Sequence, residues 1–253
     1  MPVMPSPSSL PPRGFAPNAE VYDAGYYDRM YRPHWLFRNA RKYRDRDEAL
    51  LRLVRPVPSL RLLEIGSARG DTAFFLAPYV AQVVGIDAAA IAVERARELS
   101  MERGIPNVRF ELADARDLSS FADASFDAVL MADFVEHVTD DVLAASLRES
   151  RRVLAPGGTL ALYTPNRDHW AERIKAAVPG LQQPDHIAVR PAASVVELVA
   201  RAGFELDELF FSASPYPVLG GLDRFFGSLS VCRFRTCLRA VTPGAGPKAE
   251  EDA

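Results

Sequence analysis

The chain has 253 residues, 48% hydrophobic and 25% charged, which suits a soluble globular protein with one large α/β domain or two small ones. Its net charge of −3 gives no global argument for nucleic acid or an anionic membrane surface as partner. No apolar run approaches the roughly eighteen residues of a membrane span, and the first residues lack a secretion signal's basic start and apolar stretch, so a cytoplasmic protein is expected.

In chain order, residues 1–18 are rich in proline and serine and are expected to be a disordered tail. Residues 19–58 read as one or two helices broken at Pro33, with Leu50, Leu53 and Val54 on an apolar face. Pro56 and Pro58 end that extension. Strands and helices then alternate. Strands are expected at 62–65, 82–86, 108–112, 126–131, 159–163, 204–211 and 234–241, with helices over 71–77, 89–103, 140–154 and 192–202. Such βαβα alternation predicts a doubly wound, mostly parallel sheet covered on both faces. Two segments interrupt it, 167–189 and 212–232; insertions at strand ends commonly form lids or substrate walls, or rest on a membrane or partner, and ordinary packed helices are the equal alternative. The domain is taken as 19–242, and 243–253 as a disordered tail. Cys232 and Cys237, five residues apart, would point to opposite faces of a strand that held both, so no disulfide is expected between them and a reducing compartment fits.

The stretch RLLEIGSARGDTAFFLA carries the first chemistry. A short apolar run ends in Glu64, a small-residue loop of Gly66, Ser67, Ala68 and Gly70 follows, and Asp71-Thr72 open a helix. Such a loop brings backbone amides and a helix N-terminus close to a ligand. Twenty-three residues after Glu64, the run QVVGID ends in Asp87, placed to take both hydroxyls of a ribose. Acids at two neighbouring strand tips beside that loop suit a nucleoside. A nicotinamide-dinucleotide fingerprint wants Gly-x-Gly-x-x-Gly, whereas here the spacing is Gly-x-Ala-x-Gly.

Residues 64–70, Glu-Ile-Gly-Ser-Ala-Arg-Gly, resemble the first signature of class I S-adenosylmethionine (SAM) dependent methyltransferases. Asp87 with Ala88 matches that family's ribose acid, and Asp114 with Ala115, in LADARDL, its adenine-contacting acid. The run at 126–131 matches its fourth strand, and Arg152–Gly158 the turn into the fifth. The resemblance covers roughly 60–211 and implies a Rossmann-like, seven-stranded sheet whose last strand is antiparallel. It also implies SAM as cofactor, with S-adenosyl-L-homocysteine as product. One departure is Ala68, where the family usually has glycine; alanine resists positive φ.

Resemblance also implies the acceptor side. In MADFVEHV, Asp133 is expected to line the cofactor pocket, and Glu-His-Val is similar to a subgroup that includes ubiquinone-biosynthesis and other small-molecule methyltransferases. His137 is a candidate general base, having an ordinary pKa near working pH, or a loop-fixing histidine; both alternatives stand. His186, in PDHIAVRP, is a second candidate. Tyr22, Tyr26, Tyr27 and Trp35 are candidates for closing over the cofactor or for packing. Residues 29–61 carry ten Arg or Lys against three acids, either a patch for an anionic partner or a solvated face. No His/Cys spacing in the sequence reads as a metal site. The expected reaction is methylation of a small-molecule hydroxyl. N- or C-methylation and a non-catalytic SAM-binding partner protein are the alternatives, and no nucleic-acid substrate or transmembrane segment is expected. Peripheral membrane contact and the oligomeric state stay open.

Overall fold

Leu62, Leu63 and Ile65 of β1 (Arg61–Ile65) and Val83, Val84 and Ile86 of β2 (Gln82–Asp87) are all buried, although successive side chains on a strand point to opposite faces. Strands apolar on both sides need a layer on each side, and the chain supplies two. The computed structural model describes residues 40–244, apart from 179, 182, 184, 214–219, 222, 224 and 226–228. The tail expected at 1–18, all but the first two residues of the tail expected at 243–253, the candidates Tyr22, Tyr26, Tyr27 and Trp35, and much of the second insertion lie outside the described residues.

Helices α1 (Ala40–Val54), α2 (Asp71–Leu76) and α3 (Ala90–Arg103) cover one face, where Leu50, Leu53, Phe74, Leu76, Val93 and Ala96 pack on Leu62, Val83 and Leu130. The other face packs Leu143 and Leu147 of α4 (Asp140–Val153) and Val195 and Val199 of α6 (Ala192–Arg201) onto Leu63, Val84 and Val129. The short helix α5 (Trp170–Ala177) lies in the first insertion. Remaining strands are β3 (Val108–Leu112), β4 (Phe126–Ala132), β5 (Leu154–Pro165), β6 (Glu205–Ser212) and β7 (Arg235–Val241). The order of the seven strands is β3-β2-β1-β4-β5-β7-β6, with β7 antiparallel to both neighbours and the rest parallel. That is the Rossmann-like sheet expected.

Strand order reverses between β1 and β4, so the connections after these two leave on opposite faces and open a crevice at their carboxyl ends. The loop after β1 and the loop after β4 face each other across it.

Three details differ from the sequence reading. Strand β5 starts at Leu154, because Leu154 pairs with Phe126 before the ladder resumes at Thr159 opposite Ala128. Pro156-Gly157-Gly158 is thus a bulge inside a long strand, where Gly157 takes φ +74°, and not a turn ahead of it. Cys232 sits on a 3₁₀ turn, Ser230–Cys232, instead of on β7 with Cys237; both thiols are free. Several arginines of the basic run meet acids: Arg52 and Arg55 pair with Glu208, and Arg61 with Asp127 at 2.7 Å. Among the described residues, no helix is long and apolar enough to cross a membrane.

Candidate functional site

The loop leaving β1 turns on positive φ at three residues, Gly66 (+78°), Ala68 (+45°) and Gly70 (+88°). Gly66 has no room for a side chain, since a Cβ there would stand 2.9 Å from the Phe134 ring of the opposing loop. Ala68 adopts the left-handed conformation although alanine disfavours it. Hydrogen bonds from the Gly66 and Ser67 amides to the Ile86 carbonyl, both 2.9 Å, tie the loop to the end of β2. Asp87, next along, accepts from the amides of Ala68 and Ala89, each at 2.9 Å. Burial pushes the Asp87 pKa up, partly offset by these amides. Ala88 is half-buried beside it.

Glu64 is buried at the tip of β1, and its Oε2 has no hydrogen-bond partner. Burial pushes its pKa up to about 8, against the pull of Arg46 and the Thr72 hydroxyl. The Ser67 hydroxyl is likewise buried without a partner. Asp114, at the tip of β3, is clasped by Arg116, whose Nη2 lies 2.6 Å from Oδ2 and whose amide donates to Oδ1 at 2.9 Å. Ala115 packs against the second core layer. The third acid therefore has an ion-pair partner already in place.

Asp133 leaves β4 at φ +54°, its amide donating to the Tyr163 carbonyl at 2.8 Å. Its carboxylate receives Arg235 Nη1 at 2.8 Å and Arg46 Nε at 3.3 Å, while Arg46 Nη2 donates to Thr72 at 2.9 Å. Arg46 thereby spans the crevice from the first turn of α2 to the tip of β4. Burial works to raise Asp133, and the guanidiniums of Arg235 and Arg46 outweigh it, holding the acid below its usual range. Sequence reading missed both arginines: Arg46 is one of ten basic residues in its run, and Arg235 arrives from the far end of the chain.

Next to Asp133, a 3₁₀ turn, Val135–His137, presents Glu136 and His137. His137 Nδ1 lies 3.0 Å from the Asp185 carbonyl oxygen, which can only accept, so Nδ1 carries the proton. The His186 ring meets that of His137 edge-to-face at 4.9 Å between centroids. Burial pushes the His186 pKa down to about 4, with the charge of His137 adding to it. Glu136 is buried and accepts from Thr164 at 3.0 Å through Oε2, while Oε1 has no hydrogen bond. Burial pushes it up to about 7, reinforced by Asp133. Arg190 pins this turn, donating to the carbonyls of Val135 at 2.5 Å and Val138 at 2.8 Å and reaching Asp140. The fold thus gathers Glu64, Ala68, Asp87, Asp133, Glu136, His137 and His186 around one crevice.

Residues 62–158 match the family described as "Methyltransferase domain". Curated relatives include an uncharacterized methyltransferase, YcgJ, of Bacillus subtilis (37% identical over 111 residues, 44% of this chain and 41% of that protein). They also include a ubiquinone biosynthesis O-methyltransferase of Xanthomonas campestris pv. campestris (37% over 111 residues, 44% and 45%). The chain matches less than half the length of these two relatives. Among solved structures, the [4+2]-cyclase SpnF superimposes with TM-score 0.62 at 21% identity over 79% of this chain and 81% of that one. An S-adenosylmethionine dependent methyltransferase of Mesorhizobium loti gives TM-score 0.57 at 17% identity over 77% and 96%. These likenesses carry the fold.

The cofactor of this family is SAM, and the donor set fits it. The unpartnered buried Glu64 oxygen calls for a cation or donor such as an amino-acid ammonium, and Asp87 closes β2 beside the loop after β1, accepting from its Ala68 amide. Residues 62–158 thus match a methyltransferase domain, set in a Rossmann-like sheet with acids at the tips of three successive strands.

Proposed function

We propose that the chain transfers a methyl group from SAM to a hydroxyl oxygen of a small-molecule acceptor. The observation that carries the reading is the cluster of Glu136, His137 and His186 at the tip of β4, next to the loop that fits the cofactor. Bound SAM supplies an electrophilic sulfonium methyl. When SAM is bound, Glu64 would hold its ammonium, Arg46 its amino-acid carboxylate and Asp87 its ribose. Asp114 is the adenine contact, and Asp133 keeps Arg46 and Arg235 in place. With Nδ1 protonated towards Asp185, His137 presents the basic Nε2 to the acceptor hydroxyl and removes its proton as the oxygen attacks. His186, neutral at pH 7, stands edge-to-face against the His137 ring. The likeness to a ubiquinone biosynthesis O-methyltransferase supports oxygen as the methylated atom. A cytoplasmic location goes with the reading, supported by the free thiols of Cys232 and Cys237.

The test is methyl transfer from labelled SAM to a panel of phenols, catechols and sugars, with the product placed by NMR. An O-methyl product is expected, with turnover falling about 100-fold or more in His137→Ala at unchanged SAM affinity. Methylation at nitrogen or carbon, or full turnover in His137→Ala, would overturn it.

A further inference from the structure

The acceptor cluster has the make-up of a metal centre. One ligand atom from each of Glu136, His137 and His186 lies within 4.8 Å of the other two. Two of these residues come from the 3₁₀ turn after β4 and the third from the segment before α6. We propose that Glu136, His137 and His186 bind one divalent transition-metal ion, of the zinc, cobalt or manganese class, with an open position for the acceptor's oxygen.

Two imidazoles and one carboxylate are a donor set that suits such ions, and three protein ligands leave positions for an exogenous oxygen. Around zinc, ligand atoms about 2.1 Å from the metal stand roughly 3.4 Å apart, so the present spacing closes with small side-chain rotations. Glu136 adds an independent sign. It is 1% exposed, Thr164 fixes one oxygen, and the other is left without a hydrogen bond. A buried carboxylate oxygen of that kind is costly unless something else meets it.

Outer contacts match as well. His137 donates Nδ1–H to the Asp185 carbonyl, the usual way a ligating histidine is oriented with its other nitrogen towards a metal. Arg235 Nη1 faces the same Glu136 oxygen, Oε1, at 3.6 Å, beyond hydrogen-bond distance, and lies closer to Asp133, at 2.8 Å. Asp133, Asp185 and the buried Glu172 add negative charge around the site. In sequence the cluster is invisible, because His186 stands 49 residues beyond His137. With the ion in place, His137 Nε2 would ligate it, and acidification of the acceptor hydroxyl by the metal would take the place of His137 as base. That role rests on the methyl-transfer reading above, whereas binding of the ion does not.

The test uses the full chain, stripped with chelator and freed of any affinity tag, titrated with cobalt(II) and followed by visible absorption, with zinc as competitor. Expected are ligand-field bands saturating near one ion per chain and displaced by zinc. In Glu136→Gln and in His186→Ala the affinity should fall at least about tenfold, while SAM titration still shows a folded chain. No bands in protein that binds SAM, or cobalt binding unchanged in both variants, would overturn the proposal. Cobalt bound through these residues by a chain that fails to bind SAM would uphold the ion site and remove the methyl-transfer reading instead.

Discussion

Glu64→Gln separates what the buried acid costs the fold from what it does for the ligand. The side chain is 2% exposed and one oxygen is unpartnered, so burial lifts its pKa from the ordinary 4.5 to about 8. Between those values the unfolded chain has released the proton and the folded chain has kept it. The folded state binds more protons, so stability falls as pH rises through this window. At about 1.4 kcal/mol for each tenfold in proton affinity, the full loss is at most roughly 5 kcal/mol, complete above pH 8. Glutamine keeps the shape and removes the titration. Its own cost, about 1–2 kcal/mol for a buried amide short of a partner, is the same at every pH. Urea unfolding of both proteins at pH 5, 7 and 9, without SAM, reads the difference. The variant should gain on the parent by several kcal/mol between pH 5 and 9. A pH-independent difference would refute the buried, protonated Glu64. The same substitution should weaken SAM binding, because glutamine cannot ionise to meet the ligand's ammonium.

Ala68→Gly relieves about 1–2 kcal/mol of left-handed strain and gives back about 0.5–1 kcal/mol in backbone entropy, so Tm should rise by roughly 2 °C. A fall in Tm would mean that the alanine methyl packs favourably. Asp133→Asn tolerates the +54° φ but deprives Arg46 and Arg235 of their shared carboxylate, and should cost about 3 kcal/mol in urea unfolding. A change below about 0.5 kcal/mol would show that solvent screens the pair. Arg190→Lys keeps the charge but loses the fork that holds the Val135 and Val138 carbonyls. Turnover should fall about tenfold while SAM affinity stays within about twofold; equal losses in both would make Arg190 a general fold residue.

The fold was legible because its signals are local. Apolar runs at β1, β2 and β4, small residues after β1 and the capping Gly104 and Gly203 all act within a few residues of themselves. The same holds for Glu64, Asp87, Asp114 and Asp133, since an acid closing an apolar run lies at a strand tip. Long-range pairing was hidden. Nothing in the sequence says that Arg46, rather than Arg44 or Arg52, reaches Asp133, nor that Arg235 meets it from the other side. The bulge in β5 was read as a turn because proline and two glycines signal both. Glu136 and His137 were visible as a motif, but their meeting with His186 depends on Arg190 folding residues 185–191 back onto the 3₁₀ turn.

Calorimetric titration with SAM, of the parent chain beside Asp87→Ala, tests the central claim most directly. Saturable binding near one molecule per chain that disappears in the folded variant is the predicted result, because Asp87 is the acid proposed to hold the ribose. A folded parent that does not bind, or a variant that binds as well as the parent, would contradict the account.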